Sequence, residues 1–424
     1  MRQIEVTRSI HIEYSYPSEK TPASMTYQGT YVRVRASEYV SVEKPVLLQC
    51  VCRDWKHYFQ RSTDNGKTWR RCGEWYNDDA WDKPEVWDPA YDKASATKGS
   101  FPIFFAPVFF FDRAENLVLR VYIQGETCPA EDGGMFGGTS TYRLMYQISP
   151  DEGLTWSQPK QIIQKGSEYN EKHWARGIDV GKKGGMIAVT PFLKLDNGEI
   201  CIPFVSIGPG NNFLVEEASC LLAKWNSGKT GLDVEMGEYV TLDRKLSACG
   251  ADEPSVAKLS DGRLFMILRA DKSDVTNLPG LKYYALSEDN ARTWSYPKVL
   301  AWPDGSVIYS PCCMAHALCS SKNRRLYIIT TLHDHAFSQV ALRNPLQIAE
   351  VDQKTFCVIP ETVTIIEDMK PKKANFSNWC YHEDRETGDV ILYMTPCGTG
   401  QGGYYAPDCG VPFHSFKYNI RLPE

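Results

Sequence analysis

The chain has no run of eighteen or more apolar residues, the length a membrane-spanning helix needs. Its longest apolar stretch, FPIFFAPVFFF, is broken by Pro102 and Pro107, so no such helix is expected. The opening residues, MRQIEVTRSIHIEYSYPSEK, lack the apolar centre of a secretory signal. The expected location is therefore cytoplasmic, or secreted if a leader has already been removed. Tight zinc spacing is also missing from the 14 cysteines: Cys50 and Cys52 form only C-x-C, and Cys312 adjoins Cys313. These read as reduced, buried thiols, and neither a metal nor a cofactor is expected. Positive charge is not in excess. The 47 Lys and Arg against 52 Asp and Glu leave −5, which gives no reason to expect nucleic acid or an anionic membrane as partner. Finally, no long amphipathic helical pattern occurs.

What the chain does have is strands. PVLLQCVC, NLVLRVYI, YRLMYQIS, EICIPFVSI, RLFMILRA, RLYIITTL and DVILYMT are short, β-branched or aromatic, and bounded by Gly, Asp, Asn or Pro. Asn197-Gly198 and Asp261-Gly262 mark tight hairpins. Aromatic residues reach 12%, with 11 Trp and 23 Tyr, which suits a strand-rich core or a site where sugars stack on rings.

One turn recurs three times between strands: STDNGKTW from Ser62, SPDEGLTW from Ser149 and SEDNARTW from Ser287. The Asp can accept backbone N–H bonds inside the loop and the Gly can take positive φ. The terminal Trp can turn back into the sheets as an apolar wedge. The third copy has Ala291 where the others have Gly66 and Gly153, a strain of roughly 1 kcal/mol if that position is left-handed. Weaker versions stand at KWNSGKT (224–230) and EVDQKTF (350–356), and another is expected near the C-terminus. About six units of roughly 70 residues then fill the chain, the signature of a β-propeller of four-stranded sheets.

The repeated turn resembles the Asp-box of sialidases and their relatives. The resemblance implies one all-β domain over residues 1–424, a six-bladed β-propeller of four-stranded antiparallel sheets with Asp-box turns. Asp-boxes also occur in proteins that are not enzymes, so the turn bears on fold more than on function.

Chemistry is concentrated in DEPSVAKLSDGRLFMILR, from Asp252 to Arg269. It reads as strand, turn and strand, and a tight hairpin brings Glu253 and Arg269 to the same sheet edge. A guanidinium there can hold an anionic substrate while the carboxylate works on the bond. Sialidases have the same Glu-Pro, hairpin and Arg. The resemblance implies that Glu253 assists the chemistry and Arg269 binds the substrate carboxylate. By the same resemblance ALRNPLQIAEVD places a second carboxylate-binding arginine at Arg343. YVRVRASEYVSVEKPVLLQCVCRDW offers Arg33 in the first arginine position, without the family's proline, and then Arg53 with Asp54 as the candidate acid.

The sharpest departure is at ANFSNWCYHED. Sialidases place a tyrosine nucleophile just before a serine here, and this chain has Phe376-Ser377. Phenylalanine has no hydroxyl to form a tyrosyl-glycoside. Either Tyr381 or Tyr309 serves instead, or Glu253 acts directly as nucleophile or as base for water. His173, in NEKHWARGIDVG, is a candidate base of the kind propeller lyases use. His333 and His335 have H-x-H spacing, read as a hydrogen-bonded pair near the site. Two insertions, 75–93 and 125–140, read as lids. The first is rich in Trp and Asp, which suits either sugar binding or a subunit contact, so a homo-oligomer is left open.

The expected function is therefore an exo-acting glycoside hydrolase that removes a terminal acidic sugar, sialic acid or a related or uronic acid. Its partner would be an acidic oligosaccharide or glycoconjugate. The alternatives are a polysaccharide lyase on uronate-containing glycans using His173, and a carbohydrate-binding propeller without catalysis.

Overall fold

The computed structural model describes residues 3–14, 32–53, 56–75, 101–127, 141–208, 216–270, 278–336, 343–370, 372, 374–398 and 410–424. Among these the strands form six antiparallel blades around one axis. Blade 1 is Arg33–Tyr39, Leu47–Arg53, Lys56–Ser62 and Arg70–Trp75. Blade 2 is Phe101–Asp112, Leu117–Thr127, Arg143–Ser149 and Lys160–Gln161. In blade 3 the inner strand is split into Gly184–Ile187 and Leu193–Lys194, both paired to Ile200–Ile207; Glu217–Trp225 and Leu232–Met236 follow. Blade 4 is Ala251–Lys258, Leu264–Ala270, Lys282–Ser287 and Lys298–Val299. Blade 5 is His316–Cys319, Leu326–Thr330, Leu346–Val351 and Thr364–Glu367. Blade 6 is Cys380–Glu383, Val390–Met394 and Ser415–Arg421, and its outer strand is Glu5–Ile12 from the other end of the chain.

The inner strands have a neighbour on both faces, so strands such as Ile200–Ile207 and Leu264–Ala270 are apolar on successive rather than alternate residues, while the outer strands are more polar. Leu264–Ala270 shows how the period of two is used. Leu264, Met266 and Leu268 pack in the seam with blade 3, while Phe265 and Ile267 pack in the seam with blade 5. Among the described residues one apolar cluster fills each of the six seams.

The three repeated turns join third to fourth strands in blades 1, 2 and 4. In each, the Asp accepts from the Thr four residues on, through both its backbone N–H and its hydroxyl. The Ser two residues earlier donates to the same carboxylate. Two successive residues are left-handed in every copy, and Ala291 at φ 62° adopts the same strained geometry as Gly66 and Gly153. The Trp of each turn lies at a seam: Trp69 edge-on to His11 of blade 6, Trp156 stacked on Phe109, and Trp294 against the blade 3–blade 4 cluster. The weaker copies occupy the same place in blades 3 and 5, where Asn226 accepts from Thr230 and Asp352 from Thr355. The copy expected near the C-terminus is absent. Blade 6 takes its fourth strand from Glu5–Ile12, so no turn connects its third and fourth strands.

Burial pushes the Asp151 carboxyl up, but the Thr155 and Ser149 hydrogen bonds outweigh this and hold it below its usual range. A depressed folded-state pKa gives stability that is complete above the unfolded value near 4 and is lost as pH falls through the folded one. Asp151→Asn should therefore lower stability at pH 7 by about 1 kcal/mol, allowing for solvent screening at this turn. Thermal unfolding across pH should show the gap between variant and parent shrinking as the pH falls below about 4.

Candidate functional site

Alternation of strand direction puts every repeated turn at one end of the ring. The starts of first and third strands, and the ends of second strands, lie at the other. Glu253, Arg269, Arg33 and Arg53 fall on that second end by their strand positions, as do the segments carrying Arg343 and His173.

Blade 4 supplies the centre of the site. The Ala251–Lys258 strand pairs Asp252 with Arg269 and then shifts register before Ser255. Glu253 sits in this bulge with φ at 43°, a left-handed conformation uncommon outside glycine and one that strained functional residues adopt. The Asp252 carboxylate secures it by accepting the Glu253 backbone N–H at 2.6 Å. The expected pair is present: Glu253 Oε2 lies 3.0 Å from Arg269 Nη1, and Asp252 Oδ2 lies 3.2 Å from the same nitrogen. Glu253 Oε2 is out of line for a hydrogen bond, so its contact with Arg269 is ionic. Arg269 also donates through Nη2 to Cys312 Sγ at 2.8 Å. The Arg269 and Glu253 side chains are 14% and 23% exposed, although Glu253 Oε2 itself is buried.

From Cys312 the cluster continues into blades 5 and 6. Cys313, next in the chain, is fully buried and lies under the electrostatic influence of Lys282 and Arg343. Burial pushes its thiol up, but these cations prevail and hold it below its ordinary range. Lys282 is itself fully buried and donates to Pro311 O at 3.0 Å. Burial pulls its ammonium down, against the opposing pull of Cys313, Cys312 and Glu253. Arg343 donates through Nη1 to Ser377 Oγ at 2.7 Å and through its backbone N–H to Asn375 Oδ1 at 2.8 Å. Asn375 pairs across a two-stranded ribbon with Cys397, whose Sγ is 4.0 Å from Arg33 Nη2. Asn375 and Cys397 thus link Arg343 to Arg33, while Arg269 meets Cys312, whose neighbour Cys313 feels the charge of Arg343.

Other sequence-derived candidates fall outside this cluster. Arg53 is exposed and stacks over Tyr14. His173 is half-exposed in the loop entering blade 3, with Nδ1 3.2 Å from Ile178 O and Nε2 3.9 Å from Asp179. Asp54 and most of both insertions lie outside the described residues. Phe376 is fully buried in the blade 5–blade 6 seam, and its N–H donates to Arg343 O. Tyr381 does not take over: it is buried and donates to Ala317 O at 3.3 Å. His333 and His335 touch edge to face at 5.5 Å, and His335 also pairs with Asp334. Among the described residues no group of three or more metal-ligating side chains occurs.

A cavity of about 600 Å³ opens at the opposite end of the axis, lined by Glu38, Lys258, Tyr381 and Arg385 among others. Burial pushes the Glu38 carboxyl there up to about 7. Two of the cations in that cavity are already committed, Arg385 to Ser41 O and Lys258 to Asp196. Partly exposed paired charge, strained backbone and linked arginines favour the Glu253 end instead.

Comparison with known proteins agrees with this fold. The structure superposes on the Hadza microbial sialidase Hz136 with a TM-score of 0.57 at 14% identity, over 93% of this chain and 66% of that one, just under two thirds of its length. It superposes on the intramolecular trans-sialidase from Ruminococcus gnavus at 0.58 and 12% identity, over 94% and 95% of the two chains. An α-L-arabinanase from Penicillium chrysogenum gives 0.52 at 13% identity, over 98% and 97%. No curated protein matches the chain in sequence. At these identities the likeness is one of fold, and it defines a sialidase-like propeller. The chain belongs to the BNR repeat-like domain family, whose pattern matches residues 76–385.

Sequence reading missed Asp252, Lys282, Cys312 and Ser377. Only Asp252 carried a local signal, its place beside Glu253. Removing one partner from a buried charge cluster is costly, so Asp252→Ala should lower stability by about 3 kcal/mol in urea unfolding. Asp196→Ala, at an ion pair whose Asp is 74% exposed, should cost less than about 1 kcal/mol.

Proposed function

We propose that this chain is an exo-acting glycoside hydrolase that removes a terminal acidic sugar, sialic acid or a related or uronic acid, from glycans. The observation that carries the reading is Glu253 Oε2 at 3.0 Å from Arg269 Nη1 at the open end of blade 4. The cluster with Arg343 and Arg33 supports it, because it gathers guanidinium groups that suit a sugar carboxylate. In this reading the arginines hold the carboxylate and fix the ring, and Glu253 works at the anomeric carbon. With Phe376 in place of a phenol, Glu253 either attacks that carbon itself or takes the proton of an attacking water. Asp252 positions Glu253 through the bulge. The proton for the leaving oxygen comes from an acid of the surrounding loops, with Asp54 as the candidate.

A second reading, sugar binding without cleavage, is favoured by one observation, the buried phenyl ring of Phe376 where a hydroxyl is wanted. Elimination from a uronate has less support, since none of the recorded partners of His173 belongs to the arginine cluster.

Assays on fluorogenic sialosides and uronides should show release of the aglycone. Glu253→Gln should lower kcat by about a thousandfold with an unchanged unfolding midpoint. Full turnover in that variant removes the hydrolytic assignment. Saturable binding with no release moves the chain to the second reading, and ultraviolet absorbance from an unsaturated uronate identifies elimination.

A further inference from the structure

The hydrolytic reading leaves Cys312 and Cys313 unused. They stand in Ser310-Pro311-Cys312-Cys313, the segment leading into blade 5. The Cys313 N–H turns back onto Pro311 O at 2.7 Å, a tight bend of the inverse γ kind. Both thiols are reduced, but their surroundings differ. Cys312 is partly exposed and accepts from the Arg269 guanidinium at 2.8 Å. Cys313 is buried, 3.6 Å from Thr330 Oγ1 and 3.8 Å from Ser310 Oγ, and is flanked electrostatically by Lys282 and Arg343. Three cations from blades 4 and 5 therefore surround two adjacent sulfurs. Cations stabilise thiolate over thiol, and thiolate is the form that reacts.

Two other partly exposed cysteines lack this setting. Cys319 Sγ contacts Arg324 O at 3.4 Å, and burial pushes its thiol up despite the opposing pull of the Arg324 charge. Cys357 Sγ contacts Thr355 O at 3.8 Å. Both thiols thus face backbone carbonyls, which do not favour a thiolate.

We propose that Cys312 and Cys313 are a peroxide-reactive dithiol, oxidised to a vicinal disulfide that withdraws the Cys312 sulfur from Arg269. The Cys312 thiolate attacks one oxygen of hydrogen peroxide. The O–O bond breaks, and the departing hydroxide takes a proton to leave as water, giving a sulfenic acid. The Cys313 sulfur then attacks the Cys312 sulfur, the S–O bond breaks, and a second water leaves with the Cys313 proton. Two thiols lose two electrons in all, and the peroxide gains them. The Cys312 acceptor is lost to Arg269, and the Cys313 thiol is lost from between Lys282 and Arg343. Peroxide would thereby alter the charge of the end of the axis that carries Glu253. The thiol chemistry stands independently of which reaction, if any, occurs there.

The full chain would be treated with hydrogen peroxide, unfolded, alkylated and read by peptide mass spectrometry. The peptide carrying Cys312 and Cys313 should lose both alkylation sites and two hydrogen masses, roughly tenfold or more faster than Cys319 and Cys357 react. A thiol reductant should restore both sites. In Cys313→Ser, Cys312 should halt as a sulfenic acid captured by dimedone, and Arg269→Gln should slow the first step by roughly tenfold. Equal rates at all four cysteines overturn the proposal, as does oxidation of Cys312 that leaves the Cys313 thiol intact. These readouts require no glycan turnover, so a failed activity assay and a failed thiol assay are separate results.

Discussion

Burial of both faces of the inner strands is the constraint on which the rest of this structure depends. Such a strand has no solvated side. Met266 and Phe265, neighbours on one strand, serve two different seams. Polar chemistry is thereby driven off the faces to the ends of the strands, where backbone turns and loops reach water. One end is occupied by stereotyped turns whose carboxylates are spent on their own backbone. The other end is free to vary, and it is there that Glu253, Arg269 and the segment bearing Arg343 stand.

Much of the architecture was legible because it is written locally. The Ser-Asp-Thr-Trp pattern needs its side chains at fixed offsets, so three copies are visible by eye. Asn226 and Asp352 betray two weakened ones. Ring closure was not legible. Pairing of Glu5–Ile12 with Ser415–Arg421 joins segments about four hundred residues apart, and nothing near either strand announces it. A sixth turn was expected for want of that information.

The site divides along the same line. Glu253 and Arg269 belong to one hairpin with an Asp-Gly turn, so their meeting follows from sequence. The bulge that lifts Glu253 into a left-handed backbone does not, because it depends on how Asp252 caps the next N–H. Cys312 and Lys282 reach the cluster from elsewhere in the chain and carry no motif. The arginines also differ from a simple reading of free cationic hooks. Arg269 already holds two carboxylates and a sulfur, and Arg343 holds Ser377. In the proposed reading, an incoming carboxylate would meet guanidinium groups already fixed in direction, which would limit the entropy lost on binding.

The outer strand of blade 6 has a temporal consequence. During synthesis Glu5–Ile12 is made about four hundred residues before its pairing partner Ser415–Arg421. At ribosomal rates of roughly 5–20 residues per second, that is a wait of about 20–80 s. Over this interval Glu5–Ile12 lacks its Ser415–Arg421 neighbour, and an exposed strand edge of this kind is liable to pair with another nascent chain. The propeller is thus an open arc until Ser415–Arg421 has emerged, and only then can the circle close.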